Sequence, residues 1–382
     1  MTNTELNSWD DLDCDMNLLR GIYAYGFEQP SSIQKKAIPS MLKNKDIIAQ
    51  AQSGTGKTGA FTIGTLGQIN TESKNIQGVI LSPTRELSKQ IYDVLSNIGK
   101  MMTGLRMQLL VGGTSIEDDV NELKKVPHII VGCPGRINDM LRRKKMNVSN
   151  VKVMVLDEAD EMLSKGFKEQ IYNIFYQLNE EAVQIALFSA TLSSDLLDMS
   201  KKLLREPEKI LVKSEALTLE GISQYYVLLD DEKAKYLTLK DLYSSINVSQ
   251  CIIYCNSLRR VIDLYENMRN EGYPVCCLHS DQEREERELS YKEFKSGKYR
   301  VLISTNITAR GIDIQQVSTV INYDIPKDAH TYLHRIGRSG RWGRKGVGIN
   351  FISNRDIKKL REIEKYYSTQ IDALPESFVT DN

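Results

Sequence analysis

Short apolar runs of strand length return along this chain with helix-patterned stretches between them. Asp46-Ile-Ile-Ala49, Gly78-Val-Ile-Leu-Ser82, Met107-Gln-Leu-Leu-Val111, His128-Ile-Ile-Val131, Val151-Lys-Val-Met-Val-Leu156 and Gln184-Ile-Ala-Leu-Phe188 form a first set. Each is apolar on consecutive residues rather than alternate ones, as a strand buried on both faces must be. Strand, crossover helix and strand in succession predict a largely parallel sheet with helices on both faces. The rhythm breaks at the polar stretch 213–221 and restarts at Tyr225–Leu229, Cys251–Tyr254, Val275–Leu278, Val301–Ser304, Val317–Asn322 and Val347–Phe351. The chain therefore reads as α/β with two lobes, 1–212 and 222–382, joined by a short flexible linker over 213–221. Its 382 residues are enough for each lobe to bury its own core. Ahead of the first strand, Met16–Tyr25 and Ser31–Met41 carry apolar residues at helical spacing, and Gly26 separates them.

In sheets of this kind the working residues sit beyond the carboxyl ends of the strands. After the first run stands Ala51-Gln-Ser-Gly-Thr-Gly-Lys-Thr58, followed by a segment that winds into a helix from Lys57. Gly54 and Gly56 let the backbone curl so that the amides of Ser53, Gly54, Thr55 and Gly56 face inward, and the helix start adds partial positive charge. This is a cradle for phosphate, in which Lys57 pairs with β- and γ-phosphates and the Thr58 hydroxyl holds Mg²⁺. Ala51 stands where the strict pattern has Gly.

Val-Met-Val-Leu156 runs straight into Asp157-Glu-Ala-Asp160. A carboxylate at a strand tip suits a hydrated Mg²⁺, which makes Asp157 the candidate metal residue. Glu158 then stands as proton acceptor for a water attacking the γ-phosphate. Phe188-Ser-Ala-Thr191 follows another strand, and Ser189 and Thr191 are placed to hydrogen-bond the 157–160 loop.

Charge excludes a standing polycation. Basic and acidic side chains balance at 50 each over the chain. Any grip on nucleic acid must come from local placement of Arg, Lys and backbone amides. The cysteines lack paired metal-ligand spacing and several lie inside apolar runs, so they read as small core residues in a reducing compartment. No apolar run reaches membrane-spanning length, and the polar, acidic N-terminus does not look like a secretion signal.

With these residues in place the sequence resembles the DEAD-box RNA helicases, and among them those of translation initiation, from Trp9 to about Tyr366. The resemblance implies two RecA-like lobes. Leu18 to Gln34 matches the Q motif, so Gln34 would read the adenine edge and Phe27 would stack on the base; Trp9 stands where the family usually has Phe. Pro83-Thr84-Arg85, Gly112-Gly113 and Cys133-Pro134-Gly135-Arg136 match the family's RNA-contacting motifs of the first lobe, with Cys133 in place of Thr. Each offers amides, small groups or an Arg suited to phosphate rather than bases.

In the second lobe, Cys251 to Ser257 resembles the fourth motif, which makes Asn256 an RNA-side residue. Ser304 to Asp313 resembles the fifth, with Thr305 on RNA, Asp313 near the ribose, and Asn306 where Asp is common. Leu278 to Arg287 keeps Arg287 but has Ser280 and Arg284 where the family has Gly and Gln. His334-Arg-Ile-Gly-Arg-Ser-Gly-Arg341 is the most specific signal of this lobe. Arg338 and Arg341, one helical turn apart, would stabilise the anionic transition state when the lobes close. His334, with Asp160, Ser189 and Thr191, would couple the lobes.

The implied activity is ATP-dependent, local separation of short RNA duplexes, with ATP and Mg²⁺ bound and RNA held by its backbone with little sequence preference. An ATP-gated RNA clamp or assembly platform uses the same residues and stays open as the alternative. The resemblance further implies a monomer outside complexes, in the cytoplasm, partnered by a helical-repeat translation-initiation scaffold and small RNA-binding activators. The basic run Arg142-Arg-Lys-Lys145 reads as a helix C-terminus.

Overall fold

The computed structural model describes residues 6–51, 55–164, 166–211, 222–245, 250–306, 317–339 and 346–375. The chain divides into two units, Met1–Lys213 and Ser214–Asn382.

In the first unit the elements run α1 (Met16–Ala24), α2 (Ser32–Leu42), β1 (Ile47–Gln50), α3 (Lys57–Leu66), β2 (Gly78–Leu81), α4 (Arg85–Ile98), β3 (Met107–Leu110), α5 (Ile116–Leu123), β4 (Ile129–Gly132), α6 (Pro134–Arg142), β5 (Val153–Leu156), α7 (Ala159–Ser164), α8 (Lys168–Phe175), β6 (Gln184–Ser189), α9 (Ser194–Leu203) and β7 (Glu208–Leu211). Among the described residues they build a 7-stranded sheet in the order β3-β4-β2-β5-β6-β1-β7, parallel throughout. All the expected apolar runs became strands. Their alternation is strict: Val153 and Val155 face one core with Phe61, Ile91 and Phe188, while Met154 and Leu156 face the other with Ile137, Ile171 and Leu196. Phe61 meets Phe188 edge-on at 5.2 Å between ring centres, a side chain from α3 locked to one from β6. Burying each such ring contributes about 1.5–3 kcal/mol.

Helix ends follow local chemistry. Thr84 caps α4 by accepting from the Leu87 amide at 3.2 Å, and Pro134 opens α6, where a missing N–H does no harm. Arg142 lies in the last turn of α6 with Arg143 at its C-cap, as the basic run implied.

The second unit runs β8 (Ile222–Leu228), α10 (Glu232–Ser245), β9 (Cys251–Tyr254), α11 (Leu258–Asn270), β10 (Val275–Leu278), α12 (Arg284–Lys295), β11 (Val301–Ser304), β12 (Thr319–Asn322), α13 (Ala329–Ile336), β13 (Gly346–Ile352), α14 (Ile357–Tyr367) and β14 (Asp372–Ala373). Its described strands also form a parallel 7-stranded sheet, ordered β10-β11-β9-β12-β13-β8-β14. The alternation again divides two cores: Ile252 and Leu302 on one face, Ile253 and Ile303 on the other. Because every strand in a sheet points the same way, the loops after the strands gather along one edge of each unit.

Two short strands, β7 and β14, had no apolar run to announce them. The stretch 213–221, read as the linker, lies outside the described residues. All six cysteines are free. Burial pushes the Cys251, Cys255 and Cys276 thiols up to about 12, which keeps them inert as core residues. Among the described residues no helix is long and apolar enough to cross a membrane.

Candidate nucleotide and RNA site

Gly56 shows why the turn after β1 needs glycine. Its φ is +98°, and a Cβ there would lie 2.8 Å from Ser31 Oγ and 2.9 Å from Gln34 Nε2. Gln34 reaches across that gap: its amide nitrogen donates to the Gly56 carbonyl at 3.3 Å, and its Oε1 accepts from the Ser31 amide at 2.8 Å, closing a capping box at the start of α2. The two motifs thus hold each other. Phe27 packs here as well, since a Cβ on Gly59 would meet its ring at 2.9 Å. Behind it the fully buried Trp9 stacks on Phe27, with centroids 5.9 Å apart and planes at 22°. Trp therefore serves at a position where the family usually has Phe.

Lys57, at the start of α3, points its ammonium at Glu158 Oε1 3.3 Å away, with side-chain exposures of 5% and 3%. Thr58 follows, half-buried. Thr55 and Gly56 are described, whereas Ser53 and Gly54 lie outside the described residues. On the far side, Asp157 is buried and accepts the Glu158 amide on Oδ1 at 3.0 Å. Burial, then the neighbouring Glu158 charge, pushes the Asp157 carboxyl up to about 7. Glu158 holds the left-handed conformation at φ +50°, a costly state for a residue with a side chain. Asp157, Glu158 and Asp160 concentrate more buried negative charge than Lys57 neutralises, an environment that fits a divalent cation. Among the described residues no three His, Cys, Asp or Glu side chains form a metal cage. A cation here would lean on phosphate and water, the habit of Mg²⁺.

Asp160 is held from β6 and the loop after it. Ser189 Oγ lies 2.8 Å from its Oδ1, and Thr191 Oγ1 donates to Oδ2 at 2.7 Å. The expected hydrogen bonds from Ser189 and Thr191 to the 157–160 loop are therefore made, and they fall on Asp160.

Along the same edge, Arg85 lies over Gly112 and Gly113: a Cβ on Gly113 would come within 2.5 Å of its guanidinium. Pro83 and Thr84 are buried at the start of α4, while Gly135 is exposed in the first turn of α6. Arg136, expected as a phosphate grip, already has partners of its own in this unit. Its guanidinium pairs with Asp119 and also donates to Thr114 Oγ1 at 3.0 Å and to the Thr114 carbonyl at 2.9 Å. Asp119 is itself 8% exposed. Cys133, in the place of Thr, sits 3.5 Å from Ser88 Oγ.

In the second unit the organising residue is one the sequence reading passed over. Arg335, on α13, is fully buried. It donates to Asn256 Oδ1 at 2.7 Å, Asn306 Oδ1 at 2.8 Å, Asn322 Oδ1 at 3.1 Å and the Asp324 carbonyl at 2.8 Å. It thereby ties the loops after β9, β11 and β12 together, and it lies over the Tyr254 ring at 5.2 Å. Burial draws the Arg335 guanidinium down to about 10. The signal was its place in the His334-to-Arg341 motif, where only Arg338, Arg341 and His334 were given roles. Asn256, expected on RNA, already uses Nδ2 on the Ile325 carbonyl at 2.8 Å and Oδ1 on Arg335, although the residue is exposed. Thr305 stands half-buried beside Asn306.

Arg338, expected to share a helical face with Arg341, lies past the end of the helix. Helix α13 ends at Ile336, where the Gly337 amide closes onto the Leu333 carbonyl at 2.8 Å. Arg338 falls in the turn beyond, 2% exposed, with Nε donating to the His334 carbonyl at 3.3 Å. Arg341 and Asp313 lie outside the described residues. His334 is 3% exposed. Ser280 is exposed, and Arg287 lies in the first turns of α12.

Comparison with known proteins agrees with this geometry. The DEAD/DEAH box helicase family matches residues 31–199, and the helicase conserved C-terminal domain matches residues 234–343. The chain is 49% identical over 372 residues to eukaryotic initiation factor 4A of Caenorhabditis elegans, covering 97% of this chain and 92% of that protein. It is 51% identical over 370 residues to the ATP-dependent RNA helicase eIF4A of Kluyveromyces lactis, covering 97% and 93%. Among solved structures, S. cerevisiae Dbp5 bound to RNA and ADP BeF3 matches with a TM-score of 0.90 at 36% identity, covering 98% and 99% of the two chains. Mss116p bound to ssRNA and AMP-PNP matches with a TM-score of 0.87 at 27% identity, covering 99% and 82%. Buried Lys57 against Glu158, Gln34 on Gly56, and near half identity over nearly the whole length lead to one assignment: the chain belongs to the DEAD/DEAH box helicases, of the eukaryotic initiation factor 4A type.

Proposed function

We infer that this chain is an ATP-dependent RNA helicase of translation initiation, an RNA-stimulated ATPase that separates short duplexes locally. The observation that carries the reading is the buried pair of Lys57 and Glu158 beside Asp157, a phosphate-binding cation after β1 and a proton acceptor after β5, with β6 between the two strands. In that reading the substrate triphosphate draws Lys57 away from Glu158, and the released carboxylate accepts a proton from the attacking water, giving ADP and phosphate. Gln34 reads the adenine edge, Phe27 stacks on the base, the amides from Ser53 to Gly56 cradle phosphate, and Asp313 meets the ribose. Thr58 and Asp157 would hold Mg²⁺, whose chemistry when bound is to neutralise phosphate charge.

Arg338 and Arg341 would add positive charge to the transition state when the lobes 1–212 and 222–382 close, with Asp160, Ser189, Thr191 and His334 as the coupling residues. RNA would lie on Pro83, Thr84, Arg85, Gly112, Gly113, Pro134, Gly135 and Arg136, and on Asn256 and Thr305, through its backbone. Relatives of this fold carry RNA and nucleotide in their solved structures, which supports the assignment. The partners fitting an initiation factor are a helical-repeat scaffold and small RNA-binding activators, and the place of action is the cytoplasm.

The test is steady-state ATP hydrolysis by the full chain with and without single-stranded RNA, beside separation of a short duplex. RNA should stimulate turnover and ATP should drive separation; Arg338→Ala should slow hydrolysis. Hydrolysis indifferent to RNA would overturn the reading. Long retention of RNA with ATP bound and no strand separation would turn it into the clamp.

A further inference from the structure

The cage around Arg335 is unusual for a buried charge. Among the described residues, every side-chain oxygen that accepts from it belongs to a neutral amide: Asn256, Asn306 and Asn322. The carboxylates whose charge reaches it, Asp324 and Asp328, are engaged elsewhere. Asp324 faces Arg260 at 3.1 Å and Lys235 at 3.5 Å, and it accepts the Asn256 amide at 2.9 Å. Asp328 caps α13, accepting from the Thr331 amide at 2.7 Å and its hydroxyl at 2.9 Å.

A carboxylate at 306 would make a charge-assisted bond to Arg335 and relieve a buried, unmatched cation. Stability alone therefore favours Asp over Asn at this position. What Asn preserves is charge. Arg335 sits one side chain beneath Asn256 and beside the 305–306 step, in a chain whose total charge is zero.

We propose that Asn306 is an affinity-setting residue for RNA: by leaving Arg335 without a carboxylate in contact, it lets a buried positive charge act on the phosphates held over Asn256 and Thr305. The inference rests on the placement of RNA at that face in the proposed function. It names the residue that tunes the grip there.

The experiment measures binding of a labelled single-stranded RNA to the full chain, with a non-hydrolysable ATP analogue, at two salt concentrations. It compares the parent with Asn306→Asp, Asn306→Ala and Thr305→Ala. Asn306→Asp should bind RNA roughly three- to tenfold more weakly at low salt, with the gap narrowing at high salt, as the field of one charge requires. It should also unfold at a higher temperature than the parent. In RNA-stimulated hydrolysis the RNA concentration for half-maximal rate should rise while the plateau rate holds. Asn306→Ala, which loses a hydrogen bond but keeps the charge, should lower the unfolding temperature and leave RNA affinity within about twofold. Unchanged RNA affinity in Asn306→Asp beside weakened binding in Thr305→Ala would overturn the inference alone. Parent-like binding by Thr305→Ala would overturn the placement of RNA on this face, and the inference with it.

Discussion

Lys57 and Glu158 face each other at 3.3 Å, and both side chains are almost wholly withdrawn from water. Removing one partner of such a pair takes away a buried counter-charge, which costs about 3–5 kcal/mol. Lys57→Met should therefore destabilise the protein by that order in urea unfolding. The double variant Lys57→Met with Glu158→Gln should recover more than half of the loss, because the stranded carboxylate is gone. A single variant as stable as the parent would show that the contact is not made in solution.

Glu158→Gln keeps the shape and removes the proton acceptor. ATP turnover should fall by at least about 10²-fold, the usual scale of a lost general base, while ATP-dependent RNA binding persists. Phosphate release and RNA binding measured on one preparation check both halves. Parent-rate hydrolysis would sink the assignment of Glu158.

Asp160 receives two hydroxyls, from Ser189 at 2.8 Å and Thr191 at 2.7 Å. Thr191→Val is nearly isosteric but leaves Oδ2 of a buried carboxylate short of its donor, a loss of about 1–3 kcal/mol. If this contact also couples nucleotide to RNA, duplex separated per ATP hydrolysed should drop more than the hydrolysis rate itself. Equal losses would make Asp160 a structural anchor only.

The fold was open to reading because buried parallel strands leave uninterrupted apolar runs. Val153–Leu156 and Ile252–Ile253 announce themselves, and their loops had to converge once all strands pointed one way. β7 was hidden, since only Ile210 of its residues is buried and no apolar run forms. At the site, motif chemistry singled out Gln34, Lys57 and Glu158, but the bond from Gln34 to Gly56 and the Lys57–Glu158 contact came only with the structure. So did the partners of Arg136 and Arg335, because a sequence shows that an arginine is present and not which acid or amide its guanidinium has already found. The end of α13 before Arg338 is marked in the sequence by Gly337, which stands at the C-cap.

Arg136 lets that difference be measured. If its main duty is to neutralise Asp119 under α6, Arg136→Met should destabilise by about 3–5 kcal/mol, and Asp119→Leu added to it should restore most of the loss. Were Arg136 a phosphate grip instead, the variant would stay as stable as the parent and lose RNA affinity. Urea unfolding beside RNA binding separates the two.

His128 supplies a pH dependence far from the nucleotide. It is fully buried; Nδ1 accepts the Arg106 amide at 3.1 Å, which puts the neutral ring's proton on Nε2, and Nε2 lies 2.8 Å from the Ser73 carbonyl and 2.9 Å from Arg106 Nη2. Burial, with the nearby Arg106 charge adding to it, pulls its pKa below the usual imidazole value, although the Ser73 bond works the other way. The folded ring thus stays neutral where the unfolded one has begun to bind a proton. Stability from this residue is fully present above about pH 6.5, the unfolded value, and it is lost as pH falls from there through the folded pKa. His128→Gln keeps an acceptor and a donor but cannot titrate. Between pH 7.5 and pH 5.5 the parent should lose more of its urea midpoint than His128→Gln does. Identical losses would mean that His128 is protonated in the fold and that its Nδ1 does not accept from Arg106.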